Sequence, residues 1–404
     1  VTTGASIVHL NVIDFAAAVA AARDRALADR PFVVAGASAA RAIVLALSPR
    51  AREEGLFIGM ALAAAERRVP HLQILRPDPV AYDLVHAEME RISARYAPLV
   101  ENISGGHLYL DLSGTTRLFG PPVDCAIRIR KAIRESLGIE PAVAVARNKL
   151  VAKVATRSIR PAGIAAIRAG EEASFLAPQD ARLLPGVGPA VSRILTVTGL
   201  TEIGELASLS DGEALALFGP RGRILRDAAL GLDDSPVVPG ALSDRSIRRR
   251  LDFSEDVLES EIIHGAIVSL VEDAGLEIRG SRLGAARLRL SLIYSDGVRT
   301  DAEDRCRVPV YLDGDLLSAA QRAYAKAASR RIRIRSLCLT LSGLESSFTE
   351  PDLFTPVGPS RLERLQTAVD SARKRFGIAS VTRAAALVAS GSSPALPAPS
   401  ALRA

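Results

Sequence analysis

The stretch Ser104-Gly105-Gly106-His107-Leu108-Tyr109-Leu110-Asp111-Leu112 carries the decisive pattern. Two adjacent glycines break the chain between Leu99–Ile103 and His107–Leu112, which predicts two strands joined by a hairpin-like turn. Upstream, Ser6–Ile13 reads as a strand that turns at Asp14 into an Ala-rich helix running to about Asp29. Short strands are expected at Phe32–Ala35 and Ile43–Leu47, a helical region over Pro49–Arg68 and a longer helix from Pro79 to about Ala97. Downstream, a helix over Val123–Leu137, a strand at Ala142–Ala146 and a helix over Asn148–Ser158 complete an α/β unit.

Past Pro161 the composition changes to short helices broken by Pro and Gly. Pro239-Gly240 marks a linker, and a strand at Ser246–Phe253 opens a second α/β pattern. A helix over Leu258–Arg279, strands at Ala285–Tyr294 and Val298–Val308, a helix over Leu316–Ala328 and a strand near Ile332–Leu341 follow in βαββαβ order. In Arg331–Arg335 three arginines share one face, and the apolar phase then switches to Leu337, Leu339 and Leu341, which predicts a bulge or bend. The Pro-, Ser- and Ala-rich end from Ser390 is expected to be disordered.

The whole chain fits such a layout. Its 404 residues suffice for several cores, built without Trp from Ala, Leu, Val and Ile. No apolar run is long enough to span a membrane, and the three scattered cysteines have neither metal spacing nor a disulfide framework. A cytoplasmic, membrane-free setting is the expectation. Net charge is +6, carried almost entirely by Arg, which permits but does not demand nucleic-acid binding.

The strongest local motif is Leu184-Pro185-Gly186-Val187-Gly188-Pro189-Ala190. It resembles a helix-hairpin-helix, whose glycines let free backbone N–H groups at a helix start meet a DNA phosphate without reading sequence. The alternative is a plain Gly-rich connection between helices. Arg221, Arg223 and Arg226 nearby fit either DNA or a solvated face.

In order, these pieces resemble a Y-family translesion DNA polymerase. Ser48-Pro49-Arg50-Ala51-Arg52 with Gly55 and Gly59-Met60 is similar to that family's fingers segment. Tyr109–Gly114 with Leu118-Phe119-Gly120, Asn148–Lys153 and Arg160–Gly163 are similar to its palm motifs. Arg245–Arg248 with Phe253 and Asp256 resembles the start of its little finger, and Arg364–Arg383 a C-terminal helix of bacterial members. The resemblance implies a mixed α/β (α+β) architecture: palm over 1–30 and 76–165, fingers 31–75, helical thumb 166–238, βαββαβ little finger 239–346 and a tail 347–404.

The same resemblance exposes what is missing. Polymerase chemistry uses two divalent ions about 4 Å apart, held by hard carboxylate oxygens. The family's three metal-binding acids fall here on Asn11, Gly106 and His107. Asp14 and Asp111 are the nearest acids. Asp14 is expected to cap the following helix, and Asp111 lies off the site by strand alternation. Ala16 and Pro49 replace the family's aromatic gate and triphosphate-contacting Tyr. Arg52 and Lys153 survive at nucleotide-phosphate positions, with carboxylate pairing as the alternative.

DNA contacts of the resemblance fall on Gly186, Val187 and Gly188, on Arg248, Arg249 and Arg250, and on Arg331, Arg333 and Arg335. Glu350-Pro351-Asp352-Leu353-Phe354 resembles a sliding-clamp peptide in which Leu353 and Phe354 fill an apolar pocket. The expectation is a non-catalytic, polymerase-like accessory protein binding primer-template or damaged DNA, similar to the ImuB group or to a degenerate relative of DNA polymerase IV. That group's implied partners are a sliding clamp, a replicative-type error-prone polymerase and a RecA-like protein. No metal or cofactor is expected. The rival is residual synthesis through a rearranged site, the one case calling for Mg2+.

Overall fold

A computed structural model describes residues 6–36, 42–239, 246–346 and 360–390. It divides into two compact units, Val1–Gly36 with Ile43–Gly240, and a second holding Ala241–Ala404.

In the first unit the strands are β1 (Ile7–Asn11), β2 (Phe32–Ala35), β3 (Val44–Leu47), β4 (Gln73–Leu75), β5 (Leu99–Ser104), β6 (His107–Asp111), β7 (Ala142–Ala146) and β8 (Gly163–Ala166). They form a five-stranded sheet, β5-β6-β1-β7-β8, and a three-stranded sheet, β3-β2-β4. The expected hairpin is β5–β6. The short strands β4 and β8 escaped the sequence pattern, being three and four residues long at sheet edges.

The helices up to the end of the second βα repeat are α1 (Phe15–Arg23), α2 (Pro49–Glu53), α3 (Leu62–Arg68), α4 (Pro79–Ser93), α5 (Thr116–Phe119), α6 (Pro122–Leu137) and α7 (Lys149–Ser158). Alternation divides the large sheet into two faces. Val8, Leu10, Leu108, Leu110, Val143 and Val145 pack against Met89 and Ile92 of α4 and Ile129 and Ile133 of α6. His9, Asn11, His107 and Tyr109 occupy the opposite face, where His9 bonds Thr156 of α7.

A helical part follows: α8 (Glu172–Leu176), α9 (Pro189–Thr198), α10 (Ile203–Ser208), α11 (Asp211–Phe218) and α12 (Gly222–Ala229). Its leucines 176, 184, 195, 206 and 225 join one core with Val151 and Val154 of α7. Gly222 permits the close crossing of α11 and α12, since a Cβ there would overlap the Ala214 carbonyl.

The second unit is β9 (Ile247–Val257), α13 (Ser260–Gly280), β10 (Leu283–Tyr294), β11 (Arg299–Val310), α14 (Asp313–Ala327) and β12 (Ile334–Ser346), the βαββαβ order that the sequence predicts. Sheet order is β11-β10-β12-β9, with α13 and α14 covering one face. The predicted bulge is present, as the register of β12 shifts between Ile334 and Ser336. Two further helices follow, α15 (Arg361–Phe376) and α16 (Ala384–Ser390), where the sequence predicts a tail with a single helix. They belong to this compact unit, held by buried ion pairs of Arg373 with Glu272 and Asp313.

Candidate functional site

The register of the large sheet brings two of the three degenerate positions together. Asn11 pairs directly with His107 across β1 and β6, and the Val12 N–H donates to the Gly106 carbonyl at 2.9 Å. Gly106 sits in the turn at φ +80, a conformation natural to glycine. A Cβ on Gly106 would come within 2.8 Å of Phe15 Cδ2 and 3.1 Å of Val12 Cβ. The Phe15 ring therefore fills the space into which a side chain from this turn would project.

Further bonds lock the turn. The Gly106 N–H donates to His86 Nδ1 at 3.1 Å, so Nε2 carries the proton and donates to Asn102 Oδ1. Asn102 Nδ2 donates in turn to Glu90 Oε2 at 3.0 Å, while Phe15 meets the His86 ring edge-on. Neither His86 nor the filling role of Phe15 was legible from local sequence, because both act on Gly106 through tertiary contact.

Two imidazoles lie on the site's face, with ring centroids 5.8 Å apart. Thr156 gives its hydroxyl proton to the Lys153 carbonyl, so His9 Nδ1 is the donor in the 2.6 Å contact with Thr156. Burial, reinforced by His107, Lys153, Arg157 and Arg160, pushes His9 well below the usual imidazole range. Burial followed by the charges of Lys153, Arg160 and Arg157 pushes His107 down to about 4. Desolvation also lowers Lys153, Arg157 and Arg160 from their ordinary values.

This sets a pH response. Above the unfolded value of about 6.5, His107 is neutral in both states. Below it the unfolded chain gains a proton that the folded site refuses until about pH 4, so stability falls as pH falls through that window. Allowing for solvent at this half-buried ring, His107 should cost about 2 kcal/mol by pH 4.5. The stability difference between wild type and His107→Asn, followed by thermal unfolding from pH 7.5 to 4.5, should narrow by about that amount. A pH-independent difference would remove His107 from this account.

Asp14 departs from expectation. It occupies the N-cap position of α1 at φ 47, but its side chain makes no cap bond. Instead it pairs with Arg52, so the carboxylate alternative for Arg52 is the arrangement seen. Asp111 pairs with Ile7, four residues and about 13 Å along β6 from His107, and accepts from Ser113 N. Lys153 lies half-buried, and its ammonium has no hydrogen-bond or ion-pair partner among the described residues.

A divalent metal does not fit this donor set. No group of three or more His, Cys, Asp or Glu able to hold an ion occurs among the described residues. Asn11 is 1% exposed, and its amide nitrogen, a donor repelled by cations, has no partner among them. The surroundings are cationic, where Mg2+ needs hard anionic oxygens.

Gly186 takes φ +95 and packs under Leu225, and Gly188 is the N-cap of α9. Val187 N bonds the Leu184 carbonyl at 3.2 Å. The element before the turn is only a 3-10 turn, Ala181–Leu183, rather than a full helix. Arg226, on α12, is spent on Asp211 at 2.7 Å.

In the second unit the helix-free sheet face carries Arg248, Arg250, Arg287, Arg289, Arg299 and Arg305 together with acids that include Asp252, Asp301 and Glu303. Arg249 must be corrected. It shares the helix-side parity of Leu251 and pairs with Asp273 and Glu277 of α13. Arg331 and Arg333 precede β12 as exposed residues, so the three-arginine strand face does not form. Arg335 lies in the bulge, donating to the Ser295 carbonyl at 2.5 Å. The alternation of Arg287 and Arg289 with Leu288 and Leu290 is the signal that finds the missed arginines. Leu353 and Phe354 lie outside the described residues.

A five-stranded sheet carrying this centre, a three-stranded sheet, a helical part and a βαββαβ unit make up a polymerase-type architecture. Residues 10–157 match the impB/mucB/samB family and residues 244–353 match that family's C-terminal domain. The chain belongs to this family, the Y-family DNA polymerases. It is 32% identical over 355 residues to a DNA polymerase IV of Halorhodospira halophila (strain DSM 244 / SL1), covering 87% of this chain and 99% of the relative. Its fold is similar to a Y-family DNA polymerase chimera, Dbh-Dpo4(243-245)-Dbh, at TM-score 0.73 and 19% identity, covering 84% of this chain and 99% of that one. It is also similar to an insertion ternary complex of Dbh DNA polymerase, at TM-score 0.63 and 19% identity, with the same coverage. No helix among the described residues is long and apolar enough to cross a membrane.

Proposed function

We propose that this chain is a Y-family member that binds primer-template or damaged DNA without synthesising it, and serves as an accessory or scaffold in translesion synthesis and repair. The carrying observation is the centre itself: Asn11 faces His107, and Phe15 fills the space beside Gly106. Without a carboxylate clamp, charge developing on the transferred phosphoryl group has no counterpart, and many orders of magnitude in rate are forfeited. The arginine-rich open face of the second unit supports backbone binding that is indifferent to sequence and sensitive to salt. A DNA polymerase solved as an insertion ternary complex supports a primer-template as the ligand class. A sliding clamp engaged through Leu353 and Phe354, a partner polymerase and a RecA-like protein complete the proposal.

The test is primer extension with Mg2+ and with Mn2+, beside primer-template binding by fluorescence anisotropy. Binding that weakens steeply with salt, with no extension, is the expected result. Extension by the unaltered protein that disappears on Asp14→Ala or Asp111→Ala would establish a rearranged metal site and overturn the proposal.

A further inference from the structure

Helix α15 docks on the second unit through its polar residues. Glu363, Gln366, Asp370 and Arg373 bond Tyr311, Asp313, Arg279 and Glu272 respectively. Its apolar residues lie on the neighbouring face instead. Leu362, Leu365, Val369, Ala372 and Phe376 recur at steps of three, four, three and four, the seam of a helix suited to packing on another helix. Leu362, Leu365 and Phe376 are 65%, 60% and 69% exposed, so this seam meets water rather than the core. Between it and the start of α14 lies a cavity of about 280 Å³. Leu312 and Val381 extend its apolar lining, which also includes the buried Asp313, Glu272 and Arg373.

Charge decides what fits there. Arg361, Arg364 and Arg375 run along the flank of the seam that faces away from the docked residues. All three are exposed, and none has an ion-pair partner among the described residues. Two copies paired antiparallel through this seam would set Arg361 of one against Arg375 of the other, a like-charge contact. A nucleic-acid backbone would use the arginines but leave the leucines in water.

We propose that this face docks an amphipathic helix of another protein, whose apolar residues enter the cavity and whose Asp or Glu residues meet Arg361, Arg364 and Arg375. Asp315, on the α14 side of the cavity, favours a neutral or basic residue at the partner's other edge. The face lies outside the degenerate centre, so the inference holds whether or not the chain synthesises DNA.

The experiment is fluorescence anisotropy of the full chain with two labelled synthetic helices, each about 18 residues long. Both carry Leu along the seam, and one flank is Glu in the first and Lys in the second. The Glu peptide is expected to bind at least about tenfold more tightly than the Lys peptide, with affinity falling as salt rises. Leu362→Glu combined with Leu365→Glu should weaken it by about tenfold or more, with circular dichroism unchanged because both side chains are exposed. Arg364→Glu combined with Arg375→Glu should reverse the preference, in favour of the Lys peptide. Equal binding of the two peptides, or affinity indifferent to both double changes, overturns the proposal. A concentration-dependent dimer in sedimentation velocity that the leucine changes abolish would assign the face to a second copy instead. Primer-template affinity lost with the arginine changes, in place of peptide affinity, would assign it to DNA. No binding by the full chain also overturns the proposal, and binding that appears only when residues 391–404 are removed would give the groove to the chain's own end.

Discussion

Asp313→Ala is expected to destabilise the second compact unit by about 3–5 kcal/mol and to release α15 and α16 from it. Asp313 is 2% exposed and accepts from Arg279 Nη1 at 2.7 Å, Arg373 Nη1 at 3.0 Å and Gln366 Nε2 at 3.1 Å. Arg373 is itself 3% exposed, and it reaches Glu272 at 2.9 Å and the Val381 carbonyl at 2.8 Å. Arg279 closes the network on Asp370 and the Tyr311 carbonyl. Removing the Asp313 carboxylate takes from each of two buried guanidinium groups one of its two carboxylate partners and leaves their donors unmet in a low-dielectric setting. Arg373→Lys should fail nearly as badly, because one ammonium cannot span three acceptors set in a planar fork. Calorimetry should show the transition of this unit lowered by about 10 °C, with early proteolytic cleavage around residues 360–390. An unshifted transition with protection retained would show that the network is not what docks these helices.

That network marks where the sequence stops being legible. Its members come from positions 272, 279, 313, 370 and 373, and no local pattern distinguishes Arg373 from the exposed Lys374 and Arg375 beside it. Periodicity does report which residues share a face, and the βαββαβ order and four of the five strands of the large sheet are legible from it. The same parity contained the correct placement of Arg249, since Ile247, Leu251 and Phe253 share its face. A run of three arginines, Arg248–Arg250, masks that signal, because neighbouring charges look alike whichever face of the strand they take. At β12, Arg331 and Arg333 continued an apparent alternation that the strand itself does not take up, as pairing begins only at Ile334.

The centre was legible to a different degree. Motif spacing gives the positions that the resemblance assigns to the family's acids, and the pairing of Asn11 with His107 puts two of those positions side by side. What motif spacing cannot show is which side chain packs against the Gly106 turn. Phe15 does so, and His86, 20 residues before Gly106, fixes the turn from outside. Nor could it show that Asp14 would prefer Arg52, 38 residues away, to the helix start beside it. Such pairings depend on which loops meet, and local propensity carries no record of that.

Reinstating a carboxylate at the turn should therefore fail on steric grounds before chemistry is reached. Gly106→Asp must hold a side chain at φ +80 and place its Cβ 2.8 Å from Phe15 Cδ2 and 3.0 Å from Phe15 Cγ. The left-handed backbone costs about 1 kcal/mol and overpacking a further 1–3, so a loss of about 3 kcal/mol in the first unit is expected. Asn11→Asp with Gly106→Asp and His107→Glu should regain no primer extension, because Phe15 holds the turn's new acid out of line with the other two. The steric cause predicts coupling. Phe15→Ala alone removes core packing, yet combined with Gly106→Asp it should cost at least about 1 kcal/mol less than the sum of the single changes. Additive costs in that double-mutant cycle would mean that Phe15 does not close the site. Extension regained by the three acids with Phe15 intact would mean that composition alone, and not the filled volume, silences the centre.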